Sequence, residues 1–153
     1  RLLIADIAPV KYEHDQSKFI DAMHKVDLSK VEKRSDAIMA LSNFLEDKSL
    51  QNFFTQSLDL KTKSWKLNLD ILSSEMHEIL SFPKIDEKFS GQTLFFRGEK
   101  SEYIRAEHRE IINSLFTKAR FATLKDAGHW LHAEKPREFE NAARLFFAKQ
   151  NSF

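Results

Sequence analysis

The sequence predicts an α/β fold whose strands run parallel and lie side by side in chain order. Three observations carry that expectation. Short apolar runs at Leu2–Ala5, Thr93–Arg97 and Arg120–Leu124 read as strands. Apolar residues at helical spacing fill the chain between and after them, and such alternation implies crossovers and a parallel sheet. The first run is apolar without alternation, as in strands covered by helices on both faces.

Leu2–Ala5 closes at Asp6, and Pro9, which has no amide hydrogen to donate, ends the strand between Asp6 and Ala8. From about Ser17 to Ser81 the spacing predicts helices. One stripe is Phe19, Ile20, Met23 and Val26; a second is Ile38, Leu41, Phe44 and Leu45, with Ser35 or Asp36 as N-cap. Leu50, Phe53, Phe54 and Leu58 make a third stripe, and Leu69, Leu72, Met76, Ile79 and Leu80 a fourth. Asp59–Asn68 reads as a turn or small hairpin around Trp65, and Pro83 closes the segment. After the strand Thr93–Arg97, ended by Gly98, a helix is expected over Tyr103–Phe116. It places Ile104, Ile111, Ile112, Leu115 and Phe116 inward. The strand Arg120–Leu124 follows, then the loop Lys125–Trp130, then a helix from Pro136 through about Lys149.

The chain has 153 residues, 42% hydrophobic and 31% charged, enough for one domain with a real core. Its 24 basic and 23 acidic side chains leave a net charge of +1, which excludes a basic nucleic-acid scaffold and an acidic tail. No apolar run reaches membrane-spanning length. The absence of cysteine excludes a disulfide framework and thiolate metal sites, and suits a cytoplasmic protein. With three glycines and three prolines there is no repeat or linker. The chain opens on Arg1-Leu2-Leu3-Ile4 with no initiator Met, so this reads as a piece of a longer protein.

Six histidines are candidates for chemistry near neutral pH. His14, His24, His77 and His108 lie in charged surroundings and read as solvated. His129 stands in a loop just past a strand end, between Gly128 and Trp130, where open α/β sheets place their sites. It reads either as one more surface histidine or as a functional base. Asp6, closing the first strand, either accepts backbone N–H groups or orients a histidine across the sheet edge. Glu99 and Glu102 compete for that second role, with Lys100 and Arg105 holding both in solvent. His129, His132 and Glu134 lack the spacing of a metal helix, so neither metal nor cofactor is expected. The aromatic residues Phe44, Phe53, Phe54 and Trp65 read first as core, with some available to line a pocket. No Gly-x-Ser-x-Gly element, serine elbow or phosphate loop is present in the sequence.

Three segments carry a resemblance. They are Asp6-Ile7-Ala8-Pro9-Val10 with Tyr12, then Leu94–Gly98 with Ser101-x-Tyr103-Ile104, and Ala127-Gly128-His129-Trp130-Leu131-His132-Ala133-Glu134-Lys135-Pro136. Together they resemble the α/β-hydrolase superfamily, in its branch of small acyl esterases, over essentially the whole chain. The resemblance implies the C-terminal part of that fold, with strands equivalent to the sixth to eighth of an eight-stranded sheet. It implies a helical cap insert over 15–83, lying outside the sheet at its carboxyl ends. His129 matches the catalytic base, and Asp6, rather than a residue after the seventh strand, matches the acid. Trp130, Tyr103, Phe53 and Phe54 are the candidate substrate contacts.

The implied function is a serine-type ester hydrolase acting on acyl esters, with thioesters sharing the chemistry. Its nucleophile elbow would lie upstream of Arg1, so 1–153 alone would be inactive. The implied partners are a small acyl ester and the N-terminal half of the same protein, which would pair along the outer edge of Leu2–Ala5. The alternative is a hydrolase-like binding module or subunit without a nucleophile.

Overall fold

The computed structural model describes residues 1–13 and 16–148. In chain order the elements are β1 (Leu2–Ala5), α1 (Ser17–His24), α2 (Arg34–Leu41), α3 (Lys48–Thr55), β2 (Leu58–Asp59) and β3 (Ser64–Trp65). Then come α4 (Leu69–Ser74), α5 (Met76–Ile79), β4 (Phe89–Gly98), α6 (Arg109–Leu115), β5 (Phe116–Leu124), α7 (Leu131–Glu134) and α8 (Pro136–Ala148). Two compact units result, one from Arg1–Lys11 and the chain from Phe82 onward, the other Tyr12–Ser81.

In the first unit the sheet order is β1-β4-β5 and both pairings are parallel, as the strand–insert–strand pattern predicts. Leu2 stands opposite Thr93 and Ala5 opposite Phe96; Gly98 stands opposite Leu124. Successive strand residues face opposite sides, so β4 serves two cores at once. Phe95, fully buried, packs with Ala8, Ile104 and Ile112 on one face. Phe96 packs with Ala127, Leu131 and Phe139 on the other. Helices thus cover both faces, and the parallel pairing sets the three carboxyl ends at one edge.

Several expectations shift on the structure. Leu2 and Ala5 are exposed and Leu3 and Ile4 only half-buried, because among the described residues β1 pairs with β4 alone. The other two strands are longer than their apolar runs. Phe89 pairs with Phe116 across an irregularity at Ser90-Gly91, polar positions that hide the strand in the sequence. The helix expected from Tyr103 starts only at a 3₁₀ turn, Ala106–His108, before α6, and Phe116 already belongs to β5. Tyr103 and Ile104 therefore lie in the loop after β4. His108 is buried rather than solvated, since its Nδ1 accepts from the Arg105 N–H and folds the ring under the turn. The expected helix end at Lys149 lies outside the described residues, as does His14.

The helical unit has a core of Ile20, Met23, Val26, Leu41, Leu58 and Leu69. Neither Ser35 nor Asp36 is the N-cap of α2. Lys33 takes the extended cap conformation, and the Asp36 carboxylate accepts from the N–H groups of Lys33 and Glu32 from within the first turn. Phe44 and Leu45 fall beyond α2, and Leu58 sits in a strand rather than a helix. The hairpin expected around Trp65 is present as β2–β3. In its turn Asp59 accepts from the Lys61 and Thr62 N–H groups, which holds its carboxyl below the usual range. The fourth stripe divides at Glu75 into α4 and α5. Among the described residues no helix is long and apolar enough to cross a membrane.

Candidate active site

Asp6 takes φ 51°, a left-handed conformation that Asp tolerates better than most residues and that turns the chain out of β1. Its N–H still donates to the Phe96 carbonyl at 2.9 Å, so the turn stays registered on β4. The carboxylate is fully buried. An unpaired buried carboxylate is costly, and here three donors meet it. Oδ1 accepts from the Gly98 N–H at 3.1 Å. Oδ2 accepts from the Ser101 hydroxyl in a short hydrogen bond and from His129 Nδ1 at 2.8 Å. Two donors on one oxygen require that oxygen to be an acceptor only. A carboxylate that only accepts is matched by an Nδ1–H donor, and the second ring nitrogen, Nε2, is then the one not used by Asp6.

His129 reaches this position through a tightly tied loop. Gly98 lies so close beneath it that a Cβ there would stand 2.1 Å from the Gly128 carbonyl oxygen. Lys100 donates its N–H to the Ala127 carbonyl at 2.9 Å, and Glu99 N–H donates to Leu124. Two carboxylates close the loop from its sides: Glu99 accepts from the Asp126 N–H at 2.8 Å, and Glu134 from the Gly128 N–H at 2.9 Å. Asp126 itself is left-handed, φ 58°. Ala127 and Leu131, both buried, pin the two ends of the segment into the core. The His129 side chain remains 41% exposed.

The structure brings Asp6 and His129 together from 123 positions apart in the chain. Tyr103 joins them: its ring stacks on the imidazole with centroids 3.8 Å apart and planes 15° apart. Trp130 is half-buried at the N-cap of α7, where its carbonyl accepts from Ala133 and Glu134. Phe53 and Phe54 belong to α3 in the other unit and line an apolar groove there of about 240 Å³ with Phe19, Leu67, Leu72 and Met76. Glu99 is not at the imidazole. It stays exposed and bound to the loop backbone, and Glu102 is likewise exposed. Lys100 and Arg105 turn to Asp126 and Glu107 instead. Glu134, spent on Gly128, forms no cluster with His129 and His132; among the described residues no group of three His, Cys, Asp or Glu is arranged to hold a metal.

Ser101 was missed at the sequence level. It is buried, and beyond its bond to Asp6 its oxygen accepts from the Tyr103 N–H at 3.2 Å. In the sequence it stands only within a segment that carries the resemblance, with no role attached; the reach of Asp6 across β4 is what gives Ser101 one.

A parallel sheet with helices on both faces carries a buried carboxylate and a partly exposed imidazole at its carboxyl edge, where open α/β sheets place their sites. The chain has the α/β-hydrolase fold and is similar to proteins of that superfamily. It is similar to a solved esterase of a marine microorganism, with 31% identity and a TM-score of 0.89 over 95% of this chain and 60% of that one. It is 35% identical over 156 residues to the sn-1-specific diacylglycerol lipase ABHD11 of Mus musculus, covering 97% of this chain and 51% of the mouse protein. Esterase YbfF of Escherichia coli K12 is 29% identical, over 95% of this chain and 57% of that protein. No family model matches the chain. The chain spans about half the length of the curated relatives it matches.

Proposed function

We propose that this chain supplies the base and the acid of a serine-type carboxylic ester hydrolase, with the nucleophilic serine upstream of Arg1. The observation that carries the reading is the 2.8 Å contact between His129 Nδ1 and the buried Asp6 carboxylate. In this reading His129 Nε2 takes the hydroxyl proton as the serine oxygen adds to the acyl carbonyl. The resulting imidazolium is stabilised by Asp6 and returns the proton to the leaving alcohol oxygen, and water repeats the cycle on the acyl-enzyme. Ser101 is not the nucleophile: its hydroxyl is buried and turned to Asp6. It acts through Asp6, as a positioning residue. The relatives' names, a diacylglycerol lipase and two esterases, support acyl esters as the substrate class. The coverage of about half of each relative supports a partner segment carrying the serine. The lack of cysteine supports a cytoplasmic setting.

The test is covalent labelling of the full-length gene product with a fluorophosphonate. Labelling of one serine outside residues 1–153, lost on His129→Ala, is expected. Labelling of Ser101, or of no serine, would overturn the reading and favour the hydrolase-like binding module.

The unit Tyr12–Ser81 is in this reading the cap, and its apolar groove the selector of the acyl chain. Phe53, half exposed at the groove, is the residue to change. A contact worth one or two methylenes corresponds to about four- to fifteenfold in rate. Phe53→Ala is therefore expected to lower kcat/KM for an octanoate ester relative to the butyrate by a factor in that range. An unchanged ratio would remove the groove from substrate selection.

A further inference from the structure

We propose that Tyr103 is a positioning residue whose ring sets the plane of the His129 imidazole, an inference that rests on His129 being the base. The hydrogen bond from Nδ1 to Asp6 fixes one atom of the ring. On a side chain 41% exposed to solvent, it leaves the imidazole able to swing about the Nδ1–Asp6 line. Nε2 lies off that line, so such a swing carries it out of the plane in which its lone pair is aimed. The stack with Tyr103, centroids 3.8 Å apart and planes 15° apart, removes that freedom.

The shelf itself is anchored where the acid is anchored. Tyr103 N–H donates to Ser101 Oγ, the Ser101 hydroxyl donates to Asp6, and Ser101 N–H donates to the Gly98 carbonyl. The next residue, Ile104, is buried in the core with Phe95. Acid and shelf are thus both referenced to the end of β4, and the imidazole lies against the two. A second consequence is electrostatic. When His129 holds the transferred proton, its cationic ring faces the π surface of Tyr103, an attractive arrangement that the neutral ring does not have. The contact therefore strengthens as the reaction proceeds, the condition for lowering a barrier rather than only binding.

The work is done by the aromatic face, so phenylalanine should replace tyrosine and leucine should not. The full-length protein is assayed with a p-nitrophenyl ester as wild type, Tyr103→Phe, Tyr103→Leu and His129→Ala. Tyr103→Leu should lower kcat about tenfold with KM unchanged, and Tyr103→Phe should stay within about twofold of wild type. In proton NMR the His129 ring protons should be shifted upfield by the ring current in wild type and Tyr103→Phe, and lose that shift in Tyr103→Leu. The NMR readout needs no turnover. Full kcat in Tyr103→Leu would overturn the proposal, as would equal losses in both Tyr103 variants. A rise in KM at constant kcat would overturn it too, making Tyr103 a substrate contact. Activity surviving His129→Ala would instead sink the esterase reading, with the ring-current test still reporting on the stack.

Discussion

Asp6→Asn is expected to lower ester hydrolysis by the full-length protein by up to about 10⁴-fold while leaving the fold in place. The reason lies in the donors around the side chain. Gly98 N–H, the Ser101 hydroxyl and His129 Nδ1 all donate to the carboxylate, and the Gly98 N–H can do nothing else. An asparagine amide brings its own donors, so one side-chain position must meet a donor with a donor. The imidazole can resolve the clash by moving its proton to Nε2, the tautomer that cannot accept from a serine. His129→Ala removes the proposed base altogether and should abolish turnover. Glu99→Gln is the matched control. Glu99 sits on the Asp126 N–H, and the carbonyl of glutamine can accept the same bond at nearly the same reach. It should change the rate little. A dead Glu99→Gln beside an active Asp6→Asn would move the acid to the end of β4. Full activity in both would remove the triad reading.

The second large effect is expected from one methyl group. In Gly98→Ala the added Cβ would lie 2.1 Å from the Gly128 carbonyl oxygen, 2.6 Å from that of Ala127 and 2.8 Å from the Gly128 carbonyl carbon. All three are backbone atoms of the His129 loop, which is tied at Asp126, Ala127 and Gly128 and has no free side-chain end to yield. The loop must therefore lift from the strand, carrying the imidazole off Asp6. Overpacking of this kind costs about 1–3 kcal/mol of stability. A displacement of about 1 Å at a reacting group costs on the order of 10²-fold in rate. Both should be seen, in urea unfolding and in kcat/KM. Gly91→Ala separates the cause: its nearest contacts are the Phe89 ring tip, which a side-chain rotation relieves. It should leave hydrolysis within about twofold of wild type, as for a substitution away from the site. A normal rate in Gly98→Ala would show that the loop need not lie against β4 for chemistry.

Strand order, parallel pairing and the strand-end positions of Asp6 and His129 were legible in the residues. Those follow from local facts: apolar runs too short for helices, helical spacing between them, and polar residues standing where such runs stop. The hairpin around Trp65 was legible for the same reason, as a polar break between two apolar stripes. The ends of elements were less so. Phe89 and Phe116 extend their strands because each supplies the other's packing, which neither run reveals alone. Residue spacing leaves Asp6 and Glu99 both open as partner of the imidazole, the resemblance favours Asp6, and the folded contacts are what separate the two. Asp6 and Glu99 both stand at strand ends, and only the left-handed turn at Asp6 and the donors of Gly98 and Ser101 aim one of them at His129. Tertiary structure also moved Tyr103 from an expected helix into the loop after β4, where its ring stacks on that of His129. Contacts between residues tens of positions apart leave no period in a chain, since their geometry is set by the sheet that brings the segments together.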